Sequence, residues 1–216
     1  SLRSVMTAVH FSNPDKTPKV IMVTSSTPKE GKSSFALSFA TLVANSGKKV
    51  LLIDADMKRP TIAMAFKKEF EFGLSDLLGN LATEKQVICH EEKTGLDFIP
   101  AHPNTVNSHN LLGSNRMKEF LDKMRDKYDI IIIDTLPIMA VSDCIVLAKI
   151  VDTTIFVVRW QKTSSEIIKT AMKQLKSFNI NIAGVVLTRV DMKKQSKYGY
   201  GDKGYYYTSY SEYYSG

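Results

Sequence analysis

Short runs of consecutive apolar residues constrain the fold of this chain more than any other feature. They lie at 19–24, 49–53, 129–133, 153–158 and 183–187 of the 216-residue sequence. Because apolar and polar residues do not alternate within these runs, both faces of each predicted strand should be buried. Such strands form a parallel sheet covered by helices, so the sequence predicts a doubly wound, mostly parallel α/β fold.

Helix-like stretches separate these strands and predict the helices that cover the sheet. They lie at 32–45, 117–127, 142–150 and 164–178. The stretch 73–115 is less regular, and within it we expect a strand at 96–100 and a polar loop at 101–110.

Composition indicates one globular domain followed by a tail. With 44% apolar residues the chain can bury one core, and we expect this domain at 1–192 and a flexible tail at 193–216. No apolar run approaches the roughly 18 residues of a membrane span, and the start lacks a signal-peptide pattern. We therefore expect a soluble, cytoplasmic piece, excised from something longer because it begins at Ser1 without a methionine.

The cysteines and the net charge exclude other classes. Cys89 and Cys144 lie far apart without a CxxC or nearby histidine pattern, so neither a disulfide framework nor a zinc site is expected. The formal charge of +7 comes from dispersed lysines and not from one dense run. We therefore expect no nucleic-acid partner and attribute the charge to a surface beside anionic lipid or a nucleotide.

The segment between the first strand and the first long helix ends in Gly31, Lys32 and Ser33. In such a strand-to-helix loop the backbone N–H groups and the helix N-terminus cradle phosphates, the lysine neutralises them and the hydroxyl ligates Mg²⁺. Ser26 stands where the pattern GxxxxGK[ST] has its first glycine. The nucleotide-binding residues predicted here are Thr27, Pro28, Lys29, Glu30, Gly31, Lys32, Ser33 and Ser34. Lys32 is expected at the surface, so that its replacement leaves the fold intact.

Aspartates follow two of the buried strands. Asp54 and Asp56 come after one strand and Asp134 after another. An acid at the end of a buried strand needs a cation or a hydrogen-bond donor, and acids gathered beside a phosphate loop are suited to hold Mg²⁺ between nucleotide phosphates. The alternative is that Asp54 or Asp134 caps the following helix.

Tyrosines crowd the end of the chain, where leucine, isoleucine, valine and phenylalanine are absent and glycine, serine and lysine are frequent. This composition is typical of a mobile tail and not of a core. The predicted phosphate acceptors are Tyr198, Tyr200, Tyr205, Tyr206, Tyr207, Tyr210, Tyr213 and Tyr214.

Taken together, the loop PxEGKS, the strand end DxDxxRP, the later hydrophobic-DxxP and the tyrosine tail resemble the bacterial tyrosine kinases. In that family the three motifs are Walker A, A′ and B of a P-loop NTPase fold. The resemblance covers nearly the whole chain. It implies an ATP-dependent autokinase that phosphorylates its own tail and regulates capsule or exopolysaccharide polymerisation and export.

The resemblance also implies roles for single residues. Lys32 would bind the phosphates of ATP or ADP, and Ser33, Asp56 and Asp134 would hold Mg²⁺ directly or through water. Asp54 would be the base for the acceptor hydroxyl, with a metal-ligand role left open. The implied catalytic set is Lys32, Asp54, Asp56, Arg59 and Asp134.

One position departs from the family pattern around the nucleobase. Thr188 replaces an asparagine that reads the adenine, so base recognition is expected to be looser or to rest on backbone groups and Arg189. Lys29 replaces a glycine of the phosphate loop, where it would either add a cation near the nucleotide or face solvent.

The family further implies an assembly at the cytoplasmic face of the bacterial inner membrane. Unphosphorylated subunits would form a ring in which each tail enters a neighbour's site, docked through an N-terminal helix at 1–11 that contains Arg3. The implied partners are a transmembrane polysaccharide co-polymerase segment, fused upstream or separate, and a phosphotyrosine phosphatase.

A second class shares the sheet, the phosphate loop and the strand-end aspartates. These are regulatory ATPases of the cell-division and plasmid-partition type, which act by nucleotide-dependent dimerisation without a phosphoryl acceptor. Their distinguishing lysine five positions before the loop lysine is Thr27 here, and they have no use for a tyrosine tail.

Overall fold

A computed structural model describes residues 2–13, 17–103, 105, 108–140, 143–191 and 194. The predicted acceptor tyrosines, Tyr198 to Tyr214, lie outside the described residues.

Seven strands and nine helices are formed by the described part of the chain. The strands are β1 (Val20–Ser25), β2 (Val50–Asp54), β3 (Cys89–Glu91), β4 (Leu96–Ile99), β5 (Ile130–Asp134), β6 (Thr153–Arg159) and β7 (Ile182–Thr188). The helices are α1 (Leu2–His10), α2 (Lys32–Asn45), α3 (Ile62–Phe66), α4 (Leu74–Leu78), α5 (Glu84–Val87), α6 (Ser108–Leu112), α7 (Asn115–Lys127), α8 (Asp143–Ala148) and α9 (Ser165–Ser177).

The strands form one sheet in the order β3-β4-β2-β5-β1-β6-β7. Every neighbouring pair is parallel except β3 with β4. The prediction of a mostly parallel, doubly wound sheet is therefore confirmed. The short antiparallel strand β3 was not predicted, because three residues of intermediate or full exposure carry no apolar run.

The strand side chains enter two apolar layers, one on each face of the sheet. Along β1, Val20 and Met22 join one layer and Ile21 and Val23 the other. Helix α2 packs on the second layer through residues such as Phe39, and α7 packs on the first. Because strand side chains alternate in direction, this two-sided burial explains why the predicted strands are apolar throughout.

The irregular stretch 73–115 contains more helix than expected. Helices α4 and α5 occupy its first part, and α6 begins at Ser108. The expectation of a polar loop at 101–110 is thus wrong at its end, whereas the strand at 96–100 is confirmed as β4. Among the residues that the structure describes, none of the helices combines the length and the apolarity of a membrane span.

Candidate active site

The loop between β1 and α2 brings its backbone into a tight curve above the sheet. Gly31 precedes α2 with φ at +91°, and a Cβ atom there would lie 3.3 Å from the Thr188 hydroxyl oxygen. Lys29 also has positive φ, +67°, although it is not glycine. Its side chain is exposed and also lines the cavity, which is compatible with both expectations for Lys29.

Lys32 is buried, which corrects the expectation that it lies at the surface. Its side chain is 9% exposed, and its Nζ lies 2.8 Å from Asp56 Oδ2, 3.4 Å from Asp134 Oδ1 and 3.2 Å from Ser33 Oγ. Burial alone would lower the pKa of Lys32, but the charges of Asp134 and Asp56 outweigh it and raise the pKa above its usual value. The ammonium group therefore joins the phosphate loop to both acidic strand ends.

Asp54 is fully buried and holds the segment that follows β2. Its Oδ1 accepts a hydrogen bond from the Asp56 N–H at 3.2 Å, and its Oδ2 accepts from the N–H groups of Thr61 and Ile62 at 2.8 and 3.0 Å. Thr61 is the N-cap residue of α3 and Ile62 its first residue, so Asp54 binds backbone N–H groups at the start of this helix without being its N-cap residue. Burial and the nearby charge of Asp134 raise the pKa of Asp54 to about 7, against the opposing effect of these N–H groups.

Asp134 lies beside Asp54, since the two are paired in register between β5 and β2. One of its oxygens contacts Lys32, while Oδ2 is buried without a hydrogen-bond partner among the described residues. Burial raises the pKa of Asp134 despite the stabilising charge of Lys32. Within the described residues, Asp134 Oδ2 is therefore open to a further group, and the start of α8, which a capping contact would involve, adjoins residues 141–142 outside the described part of the chain.

Asp56 and Arg59 lie on the wall of a cavity above these acids. Asp56 Oδ1 accepts from the Arg59 N–H at 3.0 Å, and the Arg59 side chain is exposed. The cavity has a volume of about 540 Å³, which is within the range of small-molecule sites. Its lining includes Pro28, Lys29, Gly31, Lys32, Ser33, Ser34, Asp56, Arg59 and Arg189. Neither Asp54 nor Asp134 is on its wall.

A second cavity of about 700 Å³ continues from the loop along α2 and β7 to α1. Gly31, Ser34, Thr188 and Arg189 line it. The Thr188 hydroxyl donates a hydrogen bond to the Glu30 carbonyl, so its only proton is not available to a nucleobase in this arrangement. Arg189 is exposed with φ at +53°. The two residues expected near the base are thus together, but Thr188 is engaged with the phosphate loop.

The side chain of Glu30 has a role that the sequence did not reveal. It is 2% exposed and lies beneath the loop, where Oε2 accepts from the Thr27 N–H at 2.7 Å and Oε1 accepts from the Thr163 hydroxyl. Thr163 stands 133 positions away, so no local pattern signals the contact. Glu30 therefore shapes the loop, and a nucleotide would meet its backbone and not its carboxylate.

The donors present fit Mg²⁺, which prefers oxygen ligands and keeps part of its coordination for phosphates and water. Ser33 Oγ, Asp56 and the unpartnered Asp134 Oδ2 supply hard oxygens close to the phosphate loop. Among the described residues there is no group of three or more acidic, histidine or cysteine side chains that would bind a metal by itself.

Comparison with known proteins gives consistent results. Residues 18–185 match the family model described as an AAA domain. The chain is 35% identical over 198 residues to the tyrosine-protein kinase YwqD of Bacillus subtilis, covering 92% of this chain and 84% of YwqD. It is 34% identical over 200 residues to the tyrosine-protein kinase Etk of Escherichia coli K12, covering 93% of this chain and 28% of Etk. The chain thus spans little more than a quarter of such longer relatives.

Solved structures show the same relationship. The kinase domain of the Escherichia coli tyrosine kinase ETK superposes with a TM-score of 0.81 at 32% identity, covering 93% of this chain and 78% of that one. The cell-division protein complex MinC:MinD of Aquifex aeolicus matches with a TM-score of 0.71 but at 19% identity. The second likeness shows the shared fold alone, so it does not support the regulatory-ATPase alternative.

Proposed function

The chain belongs to the bacterial tyrosine kinase family, and from this premise we propose that it is an ATP-dependent protein-tyrosine kinase whose acceptor is its own C-terminal tyrosine cluster. The observation that carries the proposal is the position of Lys32, which joins a phosphate loop to Asp56 and Asp134 at the carboxyl ends of parallel strands. Ligands of open parallel sheets bind at this edge. The tail at 193–216 supplies tyrosine hydroxyls within the same chain.

We propose that the nucleotide phosphates bind the backbone N–H groups from Lys29 to Ser34 and the Lys32 ammonium. A phosphate in the cavity competes with Asp56 for this ammonium, so binding frees the Asp56 carboxylate. Ser33, Asp56 and Asp134 would hold Mg²⁺, which when bound neutralises charge on the β and γ phosphates. Catalysis at such a site rests on positioning and charge neutralisation.

Asp54 has two proposed roles that differ in their geometric support. A carboxyl with a pKa of about 7 is suited to accept a proton at neutral pH. Its two oxygens, however, already accept hydrogen bonds from three backbone N–H groups. We therefore propose that Asp54 primarily fixes the segment that carries Asp56 and Arg59, and that a role as base requires this segment to release one oxygen.

We propose that transfer occurs in trans within a ring of unphosphorylated subunits. Each added phosphate brings about −1.5 to −2 charges, so full phosphorylation reverses the charge of the tail around Lys193, Lys194, Lys197 and Lys203. Repulsion between such tails would favour monomers. Because the charge is shared among eight tyrosines, no single Tyr→Phe change should abolish this switch.

The proposed setting is the cytoplasmic face of a bacterial inner membrane, where the kinase acts on capsule or exopolysaccharide export. The activating transmembrane co-polymerase segment would be either the remainder of a longer chain or a separate protein. Both arrangements are proposed because the relatives differ in length: the chain covers 28% of Etk but 84% of YwqD. A phosphotyrosine phosphatase would complete the cycle.

Phosphotyrosine mapping by mass spectrometry after incubation with ATP and Mg²⁺ tests the activity and its direction. A Lys32→Met chain, which has an acceptor tail but no phosphate-binding lysine, is mixed with a chain in which all eight tail tyrosines are phenylalanine. Phosphotyrosine on the Lys32→Met tail is expected in the mixture and not in either chain alone. ATP hydrolysis and dimerisation without phosphotyrosine in wild-type protein would instead support the regulatory-ATPase class.

Light scattering tests the assembly. Wild-type protein should show a larger mass before phosphorylation than after it. A variant with Tyr205, Tyr206, Tyr207, Tyr210, Tyr213 and Tyr214 replaced by phenylalanine should keep the larger mass in the presence of ATP. Equal masses of the wild-type protein before and after full phosphorylation would exclude the switch.

A further inference from the structure

Residues that are distant in sequence hold the phosphate loop in place through hydrogen bonds. Thr163, in the turn between β6 and α9, donates its hydroxyl proton to the buried Glu30 carboxylate, whose other oxygen accepts from the Thr27 N–H at 2.7 Å. The Thr188 hydroxyl, at the end of β7, donates to the carbonyl oxygen of the same Glu30. The β6–α9 turn and β7 therefore meet on one residue of the loop.

The two threonines are themselves held in place. The Thr188 carbonyl accepts from the Trp160 N–H at 3.1 Å, within the paired ends of β6 and β7. Thr163 stands directly before Ser164, whose hydroxyl accepts from the Ile167 N–H at the start of α9. The Arg159 guanidinium adds a longer contact of 3.4 Å to the Lys29 carbonyl. The supports beneath the loop thus belong to ordered elements of the sheet and of α9.

This arrangement decides where the loop N–H groups point. In a trans peptide the C=O and the N–H of the same unit point in opposite directions. The Lys29 carbonyl faces Arg159 and the Glu30 carbonyl faces Thr188, so the N–H groups of Glu30 and Gly31 point away from these supports. Such N–H groups, directed outward from a loop before a helix, are the ones that bind phosphate oxygens.

We propose that Thr163 and Thr188 are positioning residues for the phosphate loop, acting together through Glu30. They do not contact the nucleotide phosphates; they fix the loop in the conformation that binds them. The proposal rests on the nucleotide-binding part of the proposed function and is independent of tyrosine transfer. The proposal also explains why residue 31 is a glycine. A Cβ atom there would crowd the Thr188 hydroxyl, which the loop requires.

The test is the affinity for ADP, measured by calorimetry at fixed Mg²⁺ on three variants of the whole chain. Valine has nearly the shape of threonine but no hydroxyl, so Thr163→Val removes the proton donor to the buried Glu30 Oε1. A buried acceptor that loses its hydrogen bond destabilises the arrangement that contains it. We expect ADP affinity to fall about tenfold. Thr163→Ser keeps the hydroxyl and should bind within about threefold of wild type. Thr170→Val makes the same exchange on the exposed face of α9 and should have no effect.

Thermal unfolding without and with ADP separates positioning from general stability. For Thr163→Val the stabilisation produced by ADP should shrink more than the melting temperature of the protein without nucleotide. A melting temperature that falls while ADP affinity stays at the wild-type value would overturn the proposal. Thr188→Val provides an independent second variant with the same expected loss, so that failure of one variant to fold still leaves a decisive measurement.

The outcomes also separate this inference from the proposed kinase activity. If wild-type protein binds ADP and Thr163→Val loses affinity, the inference holds even where no phosphotyrosine forms. If wild-type protein phosphorylates tyrosine and both valine variants bind ADP normally, the inference fails and the kinase function stands. If wild-type protein does not bind ADP, both fail.

Discussion

Asp54 and Asp134 end adjacent parallel strands, are partners in register and are both fully buried, yet their surroundings differ. After Asp54 the chain turns back so that three N–H groups, up to eight residues further on, point at its carboxylate. After Asp134 the chain returns to β1, where the Thr135 N–H bonds to the Val23 carbonyl. One oxygen of Asp134 has no hydrogen-bond partner in the part of the chain that the structure describes. A strand-end aspartate is therefore structural or chemical according to the path of the next few residues.

Lys32→Met should have the largest effect. It removes the cation that contacts Asp134 and leaves the backbone hydrogen bonds of Asp54 intact. Tyrosine transfer should fall at least about a thousandfold, as expected when a phosphate-neutralising charge is lost. Stability should also fall, by roughly 3 kcal/mol, since Asp56 and Asp134 become buried acids without a cation.

Initial transfer rates and urea unfolding measure the two effects. Lys29→Met serves as the matched control, because it removes an exposed cation from the same loop; its stability should stay within about 0.5 kcal/mol of wild type. Unchanged ADP affinity and activity in Lys32→Met would show that this loop is not the phosphate site.

Asp134→Asn should come next and should act on the chemistry more than on the fold. Replacing the unpartnered Asp134 Oδ2 removes an anionic oxygen from the proposed Mg²⁺ site, and transfer should fall about a hundredfold. Lys32 keeps its 2.8 Å contact with Asp56, so the unfolding free energy should change little. Calorimetry of ADP with and without Mg²⁺ should show a smaller effect of the metal than in wild type; an unaltered effect would argue against Asp134 as a ligand.

Asp54→Asn should instead act on the fold more than on the chemistry. An amide that presents its oxygen to Thr61 and Ile62 turns its NH₂ group toward the Asp56 N–H, which leaves a buried donor unpaired and costs about 1–2 kcal/mol. ADP affinity and transfer rate should fall together, by about tenfold or less, through displacement of Asp56 and Arg59. A hundredfold loss of rate at normal ADP affinity and stability would show instead that Asp54 takes the acceptor proton.

The sequence predicted the parts of this site that are encoded locally. Lys32 and Ser33 follow a strand and open a helix, and Asp54 and Asp134 each close an apolar run, so their convergence follows from the parallel sheet. The contact of Glu30 with Thr163 spans 133 positions and depends on how β6 packs beside β1. No pattern within either segment predicts it.

Two further features were hidden for other reasons. Lys29 adopts a φ of +67° although its residue type does not favour that region, so the backbone conformation of this residue within the predicted loop was not recognisable. The contacts of the Asp54 side chain depend on how tightly the chain turns back after β2. The sequence alone does not predict this turn, so it leaves both capping and catalysis open for Asp54. The mostly parallel sheet was therefore predictable from the sequence, whereas the contacts of each acid depend on the three-dimensional path of the chain.

The pH dependence of stability provides the most specific separation of the two regions. The pKa of Asp54 rises from an ordinary value near 3.8 to about 7 in the folded protein, so the fold binds a proton more tightly than the unfolded chain. The stability that this provides is fully present below about pH 4 and is lost as pH rises toward 7, with a slope of at most about 1.4 kcal/mol per pH unit for one proton. Asp134 and Lys32 lie close enough to act on this titration, Asp134 raising the pKa of Asp54 and Lys32 lowering it.

Urea unfolding of wild type and Asp54→Asn between pH 4.5 and 7.5, in the presence of EDTA, should therefore show a stability difference that shrinks as pH rises. Asp152 is the control of opposite sign, because its contacts with Arg125 and with the N–H groups of Lys19 and Val20 lower its pKa despite partial burial. Its contribution is present above its ordinary pKa near 3.8 and is lost as pH falls below that value, so the difference between Asp152→Asn and wild type should stay constant between pH 4.5 and 7.5 and shrink only below about pH 4. A difference for Asp54→Asn that stays constant across this range would mean that Asp54 remains ionised in the fold, and that its N–H contacts outweigh burial and the charge of Asp134.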